Sequence, residues 1–157
     1  MNTIPRILYV DDDADGCELM AFQLNHYYGY QVDTASNGSR AIDMLRSDPY
    51  DVLLLDYCLP DITAVDLCKQ IKEIDPRVPI LIYSALDRDI DKKQAFSAGA
   101  SGYFVKPGDL ELIGQELEKL LSLPKSGRID ADPVVLSEDM RLRTGRLLLR
   151  RRSSSII

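Results

Sequence analysis

Carboxylates follow two apolar runs of this chain, and a lysine follows another. The groups are Asp11, Asp12 and Asp13 after residues 7–10, Asp56 after residues 52–55, and Lys106 after residues 103–105. The carboxyl ends of parallel strands meet at one edge of an open sheet, so these groups converge if the runs are neighbouring strands. Close carboxylates repel each other unless their pKa values rise or a hard cation with oxygen ligands binds them. The pattern therefore predicts a pocket that suits Mg²⁺.

Helix capping is the alternative explanation for any single one of these acids, because an Asp after a strand often caps the next helix. We favour a cap for Asp13, and we expect Asp61 to be a solvated loop acid. Capping explains three separate strand ends poorly.

His26 is the only histidine, which leaves little material for a histidine-based triad or metal cluster.

The elements that must position these groups alternate along the chain. Strand-sized apolar runs lie at about residues 6–10, 31–35, 51–55, 79–83 and 102–105, and the segments between them have helical spacing. This alternation predicts an α/β domain with a flavodoxin-like, doubly wound parallel sheet of five strands, order 2-1-3-4-5, and five flanking helices.

Two of the predicted helices lead to specific expectations about burial. The first begins near Asp13, ends at Gly29, and is expected to bury the apolar residues Leu19, Met20, Phe22 and Leu24. The fourth, near residues 89–98, is polar apart from Ile90, Ala95 and Phe96. This composition predicts a surface helix that few contacts hold and that is able to shift.

The charge distribution divides the 157 residues into an acidic body and a basic tail. Residues 1–124 contain 11 Lys/Arg and 21 Asp/Glu, whereas residues 125–157 contain 8 and 4. We predict one domain over residues 1–123 and a basic C-terminal extension over residues 124–157. The extension is interpreted as an arm or linker, with a β-hairpin or a disordered end as alternatives. Nucleic-acid binding is not expected of the acidic body but stays open for the tail.

The cysteines and the N-terminus indicate a compartment. Cys17, Cys58 and Cys68 are odd in number and lack zinc-site spacing, so we expect free thiols in a reducing environment. The first apolar run is too short and wrongly flanked for a signal peptide, and no stretch approaches the length of a membrane span. We predict a soluble cytoplasmic protein that does not contact membranes.

Four segments together resemble the receiver domain of bacterial two-component response regulators, which are CheY-like proteins. They are residues 7–13, residues 54–60, residues 82–85, and residues 98–103 leading into Lys106-Pro107. The resemblance implies that Asp56 accepts a phosphoryl group from a phosphohistidine on a histidine kinase or phosphotransfer protein. It also implies that Mg²⁺ is held by Asp11, Asp12, Asp56 and the backbone carbonyl of Cys58.

The resemblance further assigns roles to three residues near the ends of the last two strands. Lys106 would pair with the phosphoryl oxygens, Ser84 would hydrogen-bond the phosphate, and Tyr103 would rotate inward as Ser84 moves. The implied function is a signalling switch and not an enzyme. Its output would be a changed surface of helix four, strand five and helix five, which binds a partner or a second copy of the chain.

One departure and two alternative functions accompany this resemblance. Family members usually carry glycine eight residues after the phosphoacceptor, where this chain has Ala64, so a different loop path is expected there. One alternative is a DNA-binding or larger regulator of which this chain is the receiver part. The other is a phosphatase that forms an aspartyl phosphate, although such enzymes place the nucleophile after the first strand.

Overall fold

Five strands and five helices alternate along the chain, as the sequence predicts. The computed structural model describes residues 3–124 and 134–135. The elements are β1 (Arg6–Val10), α1 (Ala14–Tyr28), β2 (Gln31–Ala35), α2 (Gly38–Ser47), β3 (Val52–Leu55), α3 (Ala64–Ile74), β4 (Ile80–Ser84), α4 (Asp89–Ser97), β5 (Gly102–Val105), α5 (Leu110–Ser122) and β6 (Val134–Val135). None of the helices in the described ranges is long and apolar enough to cross a membrane.

All the strands pair in parallel in one sheet of order β2-β1-β3-β4-β5-β6. The predicted order 2-1-3-4-5 is therefore confirmed. The sixth strand is an addition at the β5 edge, where Gly102 pairs with Val134 and Tyr103 pairs with Val135. The chain reverses its direction of winding between β1 and β3, which places the carboxyl ends of these two strands at the crevice where ligands bind in such sheets.

The core has two layers, one on each face of the sheet. Side chains alternate along a strand, so Ile7 and Tyr9 of β1 pack toward α1 and α5, whereas Leu8 and Val10 pack toward α2, α3 and α4. Helices on both faces keep the central strands out of water. This explains why β3 reads as an unbroken run of Val and Leu, all of it fully buried.

The predicted buried face of α1 was wrong at two positions. Leu19 and Phe22 are 57% and 61% exposed, while Cys17, Met20 and Leu24 form the buried stripe. Helix α1 contains apolar residues around much of its circumference, so periodicity alone could not decide which stripe contacts the sheet. The exposed Phe22 instead stacks on His26 on the outer side of the helix.

Helix α4 buries charged residues that form ion pairs. Its buried residues are Asp91, Lys92 and Ala95. Asp91 accepts two hydrogen bonds from Arg88, at 2.6 and 2.9 Å, and Lys92 pairs with Asp87. These ion pairs lie within α4 and the loop before it, while Ala95 and Phe96 supply its apolar contact with the core, so few apolar residues define a stripe and the amphipathic pattern is weak.

The loop into α3 accommodates Ala64 without backbone strain. Ala64 is the first residue of α3, and the Thr63 hydroxyl before it accepts a hydrogen bond from the backbone N–H of Asp66 at 3.1 Å. Among the described residues, positive φ values occur at glycines alone. A glycine at position 64 is thus not required by this loop path.

Candidate functional site

Asp11 and Asp56 leave the sheet side by side because β1 and β3 are adjacent. Val10 pairs with Leu55, and the backbone N–H of Asp56 donates to the Val10 carbonyl at 2.8 Å. Asp12 follows Asp11 directly. One carboxylate oxygen from each of these three acids lies within 4.8 Å of the others. The structure therefore brings together the three acids that the sequence predicted to converge.

Lys106 reaches the same place from the end of β5. Its backbone N–H donates to the Ser84 carbonyl at 2.9 Å, which ties the ends of β4 and β5 together. Its ammonium lies 2.5 Å from Asp11 Oδ2 and 3.6 Å from Asp56 Oδ2. The Lys106–Pro107 peptide bond is cis. The Lys106 ammonium thus lies between the carboxylates of Asp11 and Asp56.

Burial and charge act in opposite directions on the two acids that are shielded from water. For Asp11, burial favours the neutral form, but hydrogen bonds from Lys106 and Tyr9 outweigh it and hold the pKa below its ordinary value. For Asp56, burial together with the nearby charge of Asp11 raises the pKa above its ordinary value, against the attraction of Lys106. The pKa of Lys106 is raised despite its burial because Asp11 and Asp56 stabilise its charge.

The donor set fits a hard divalent cation. Three carboxylates share the site with one ammonium, so an excess of negative charge remains for a cation with oxygen ligands. Asp12 is exposed and Asp56 is 9% exposed, which leaves the cluster open to solvent at one side. The backbone N–H of Cys58 approaches Asp56 Oδ1 at 3.4 Å. That the backbone carbonyl of Cys58 is a further ligand of the cation stays a prediction.

Ser84 and Tyr103 are linked through the main chain of Leu86. The backbone N–H of Leu86 donates to Ser84 Oγ at 3.2 Å, and the Leu86 carbonyl accepts a hydrogen bond from the Tyr103 hydroxyl at 2.9 Å. Ser84 and Tyr103 are both 1% exposed. Burial raises the pKa of Tyr103 to about 12, so its hydroxyl remains a donor at neutral pH. A shift of either side chain therefore strains or breaks a bond to the same residue.

Reasoning from the sequence missed the role of Tyr9 and the hydrogen bonds of Asp61. The Tyr9 hydroxyl donates to Asp11 Oδ2 at 2.6 Å, and the two-residue spacing on a strand was a signal that could have revealed it. Asp61, predicted to be a solvated loop acid, is exposed but accepts hydrogen bonds from the backbone N–H groups of Gly38 and Ser39 at 2.9 and 2.8 Å. It thereby ties the loop after β3 to the start of α2.

Asp13, the predicted cap of α1, and Asp109, at the start of α5, do not cap their helices through their side chains. Both residues occupy the N-cap position, and neither side chain makes a capping hydrogen bond. The Asp13 backbone N–H donates to Asp11 Oδ1 at 2.9 Å, and the Asp109 carboxylate accepts from the Val105 N–H at 2.8 Å.

The three cysteines are free thiols, as expected, with Cys58 exposed and Cys17 and Cys68 buried.

The sequence of this chain matches a protein family and is similar to several characterised proteins. The family model for the response regulator receiver domain matches residues 7–118. The response regulator ArlR of Staphylococcus epidermidis is 31% identical over 134 residues, which are 85% of this chain and 60% of ArlR. The response regulator MprA of Mycobacterium avium is 34% identical over 132 residues, which are 84% of this chain and 57% of MprA.

A solved structure agrees with these relatives. The chemotaxis response regulator CheY4 of Vibrio cholerae superimposes with a TM-score of 0.69 at 26% identity, covering 75% of this chain and 99% of CheY4. The chain spans about three fifths of the length of the curated relatives that it matches. Since the family model covers most of the chain, and its match contains both strand ends that carry the acids, the chain belongs to the response regulator receiver domain family.

Proposed function

We propose that this chain is a receiver that accepts a phosphoryl group on Asp56 and signals through a change of its surface. The donor is a phosphohistidine on a sensor histidine kinase or a histidine phosphotransfer protein. The convergence of Asp11, Asp12, Asp56 and Lys106 at one sheet edge is the observation that carries this proposal. The same cluster favours Mg²⁺ as the cation, with the Cys58 carbonyl as an additional ligand.

The side chains at the site are suited to phosphoryl transfer. An ionised carboxylate is a nucleophile that needs no general base, so Asp56 can attack phosphorus directly. The new O–P bond forms as the P–N bond of the donor breaks and the donor's imidazole leaves. The only histidine of this chain, His26, lies on α1 and is not needed for this step. Bound Mg²⁺ supplies charge neutralisation on the equatorial oxygens of the transferred group. Lys106 supplies a second positive charge, and its 3.6 Å separation from Asp56 Oδ2 leaves it within reach of an oxygen of the product.

The switch acts through Ser84, Leu86 and Tyr103. When Ser84 turns to hydrogen-bond the phosphorylated Asp56, its oxygen leaves the Leu86 N–H. Because the Leu86 carbonyl also holds the Tyr103 hydroxyl, this movement is passed to the aromatic ring between α4 and β5. The surface of α4, β5 and α5 then changes its affinity for a partner or for a second copy of the chain.

Regulation of binding, and not turnover of a substrate, is the function that we infer. The relatives extend beyond the length of this chain, so a larger regulator with an output module elsewhere fits this role. A cytoplasmic location, the domain boundary near residue 123 and a nucleic-acid contact by the basic tail stay predictions. The predicted hairpin near Thr144-Gly145 lies outside the described residues.

Chemical phosphorylation tests the proposal directly. The protein is incubated with acetyl phosphate and Mg²⁺, and the phosphorylated fraction is measured by mobility in a phosphate-affinity gel. The wild type should be labelled, labelling should stop when Mg²⁺ is chelated, and Asp56→Asn should remain unlabelled. Lys106→Met should be labelled more slowly, by about 100-fold, because it removes one of the charges that stabilise the transferred group.

The matched control is Asp43→Asn, the same chemical change at an exposed position of α2. It should be labelled like the wild type. Equal labelling of the wild type and Asp56→Asn would show that the phosphoryl group goes elsewhere and would reject the assignment. Rapid hydrolysis of a generic phosphomonoester, with release of phosphate over many cycles, would favour the phosphatase alternative.

A further inference from the structure

Tyr9 lies beside the acidic cluster, on the strand that leads into it. Tyr9 and Asp11 are two residues apart, so the alternation of side chains along an extended chain directs both to the same face. Tyr9 is 1% exposed, and its hydroxyl donates to Asp11 Oδ2 at 2.6 Å. We propose that Tyr9 is a positioning residue, which holds the Asp11 carboxylate in the orientation that binds the divalent cation. This inference rests on the proposed function because it presupposes a cation at the cluster.

Asp11 receives three hydrogen bonds, and one donor is charged. Its Oδ2 accepts from Tyr9 and from the Lys106 ammonium at 2.5 Å, and its Oδ1 accepts from the Asp13 backbone N–H at 2.9 Å. A divalent cation and the Lys106 ammonium repel each other and compete for the same carboxylate. The Tyr9 hydroxyl and the Asp13 N–H are neutral, so both remain compatible with a bound cation.

The division of roles follows from this competition. A carboxylate oxygen has two lone pairs, so Asp11 Oδ2 could keep the Tyr9 hydroxyl and still be a ligand for a cation that replaced Lys106. Without the Tyr9 hydroxyl, the departure of Lys106 would free Asp11 Oδ2 from both of its protein donors. Groups that orient a metal ligand in this way commonly contribute about 10-fold to 100-fold to metal affinity.

Tyr83 provides a matched control within the same cavity. Tyr9, Tyr83, Asp11 and Lys106 all line a cavity of about 160 Å³ between β1, α1 and the β5 end. The Tyr83 ring centroid lies 5.4 Å from the Lys106 ammonium. Tyr83→Phe removes a hydroxyl from this cavity and keeps the ring, and it leaves the three donors to Asp11 in place.

The experiment is a Mg²⁺ titration of the full chain followed by amide chemical shifts of ¹⁵N-labelled protein. Tyr9→Phe should weaken Mg²⁺ binding by about 10-fold, whereas Tyr83→Phe should stay within about twofold of the wild type. Phe keeps the packed ring of Tyr9, and unchanged amide shifts far from the site verify that the variant is folded.

A second background separates two ways in which Tyr9 could act. In Lys106→Met the competing ammonium is gone, so Mg²⁺ should bind more tightly than in the wild type, and adding Tyr9→Phe should still weaken binding by about 10-fold. If the effect of Tyr9→Phe disappears in this background, Tyr9 acts through Lys106 and the inference is overturned.

The outcomes also distinguish this inference from the proposed function. A wild type that binds Mg²⁺ and a Tyr9→Phe variant that binds it equally well overturn the role of Tyr9 and leave the receiver function intact. A wild type that shows no Mg²⁺-dependent shifts at Asp11, Asp12 or Asp56 rejects both.

Discussion

At the scale of single residues, the site shifts the pKa values of two neighbouring carboxylates in opposite directions. Asp11 has three hydrogen-bond donors and a lowered pKa. Asp56 has the nearby Lys106 at 3.6 Å and a raised pKa. The less stabilised carboxylate is the one that the proposed function uses as the nucleophile. This arrangement leaves the charge of the proposed nucleophile poorly compensated in the absence of a cation.

Asp56→Asn is expected to raise the melting temperature at pH 7 in the absence of divalent cations. The folded-state pKa of Asp56 is raised, by burial first and then by Asp11. The stability that its neutral form contributes is therefore complete below the ordinary carboxyl pKa and is lost as pH rises through the raised folded value. Asparagine avoids this loss, and each kcal/mol gained raises the melting temperature by about 4 °C.

Calorimetry across a pH series tests this expectation. The gain from Asp56→Asn should shrink as the pH falls below the ordinary carboxyl range. Asp11→Asn is the comparison with the opposite sign, because the pKa of Asp11 is lowered and its ionised form stabilises the fold at pH 7. A lower melting temperature for Asp56→Asn at pH 7 would contradict the electrostatic account of the site.

At the scale of elements, α4 combines a small apolar contact at Ala95 with several charged and polar contacts. Asp91 is 3% exposed and is held by two hydrogen bonds from Arg88, while the Lys92 ammonium lies 6.0 Å from the Tyr103 ring centroid. The Tyr57 hydroxyl adds a hydrogen bond to Gln94 at 3.0 Å. The helix that is proposed to move thus contacts Tyr103, the proposed switch residue, and Tyr57 in the loop after β3 through polar groups, which can rearrange more readily than a close-packed apolar seam.

Asp91→Asn should destabilise the protein by about 2 kcal/mol, because it leaves a buried amide in place of a carboxylate with two charge-assisted bonds. Urea denaturation measures the free energy of unfolding. Asp89→Asn makes the same change at an exposed position of the first turn and should cost less than about 1 kcal/mol. Equal costs for the two variants would argue against a structural role for the Arg88–Asp91 pair.

At the scale of the whole molecule, the sheet extends past the domain that the sequence predicts. β6 pairs with β5 at Gly102 and Tyr103, so residues 134–135 lie along the strand that carries the proposed switch residue. A partner that approaches the β5 edge of the sheet meets this segment. Its pairing is short, and β1 to β5 are held together by longer ladders.

A chain that ends after residue 124 is expected to fold and to be phosphorylated like the full chain. Of the described residues, the truncation removes the two of β6, and every described residue of both core layers lies before residue 124, so the free energy of unfolding should fall by no more than about 2 kcal/mol. Urea denaturation and labelling by acetyl phosphate with Mg²⁺ measure the two properties. A truncated chain without a cooperative unfolding transition would show that the boundary near residue 123 is wrong.

The sequence by itself determined the first five strands and the edge at which the acids meet, and the order of these strands followed from the topology common to such sheets. The strands and the shared edge depend on local patterns: continuous apolar runs such as residues 52–55, a charged residue directly after three of the five runs, and the rule that parallel strands end together. The resemblance in the same segments led to the family that the comparisons show.

Only the tertiary structure decided which atoms pair at the site and which stripe of α1 is buried. The hydrogen bond between Lys106 and Asp11 joins residues that are 95 positions apart in the sequence, and the hydrogen bond between Gly38 and Asp61 joins residues that are 23 positions apart. Such contacts depend on the packing of several elements at once, so no local pattern specifies them. Leu19 and Cys17 are both plausible core residues of α1, and the position of the helix on the sheet selects Cys17. The chain thus encodes where its charged groups emerge, and the packing of the sheet and helices sets their partners.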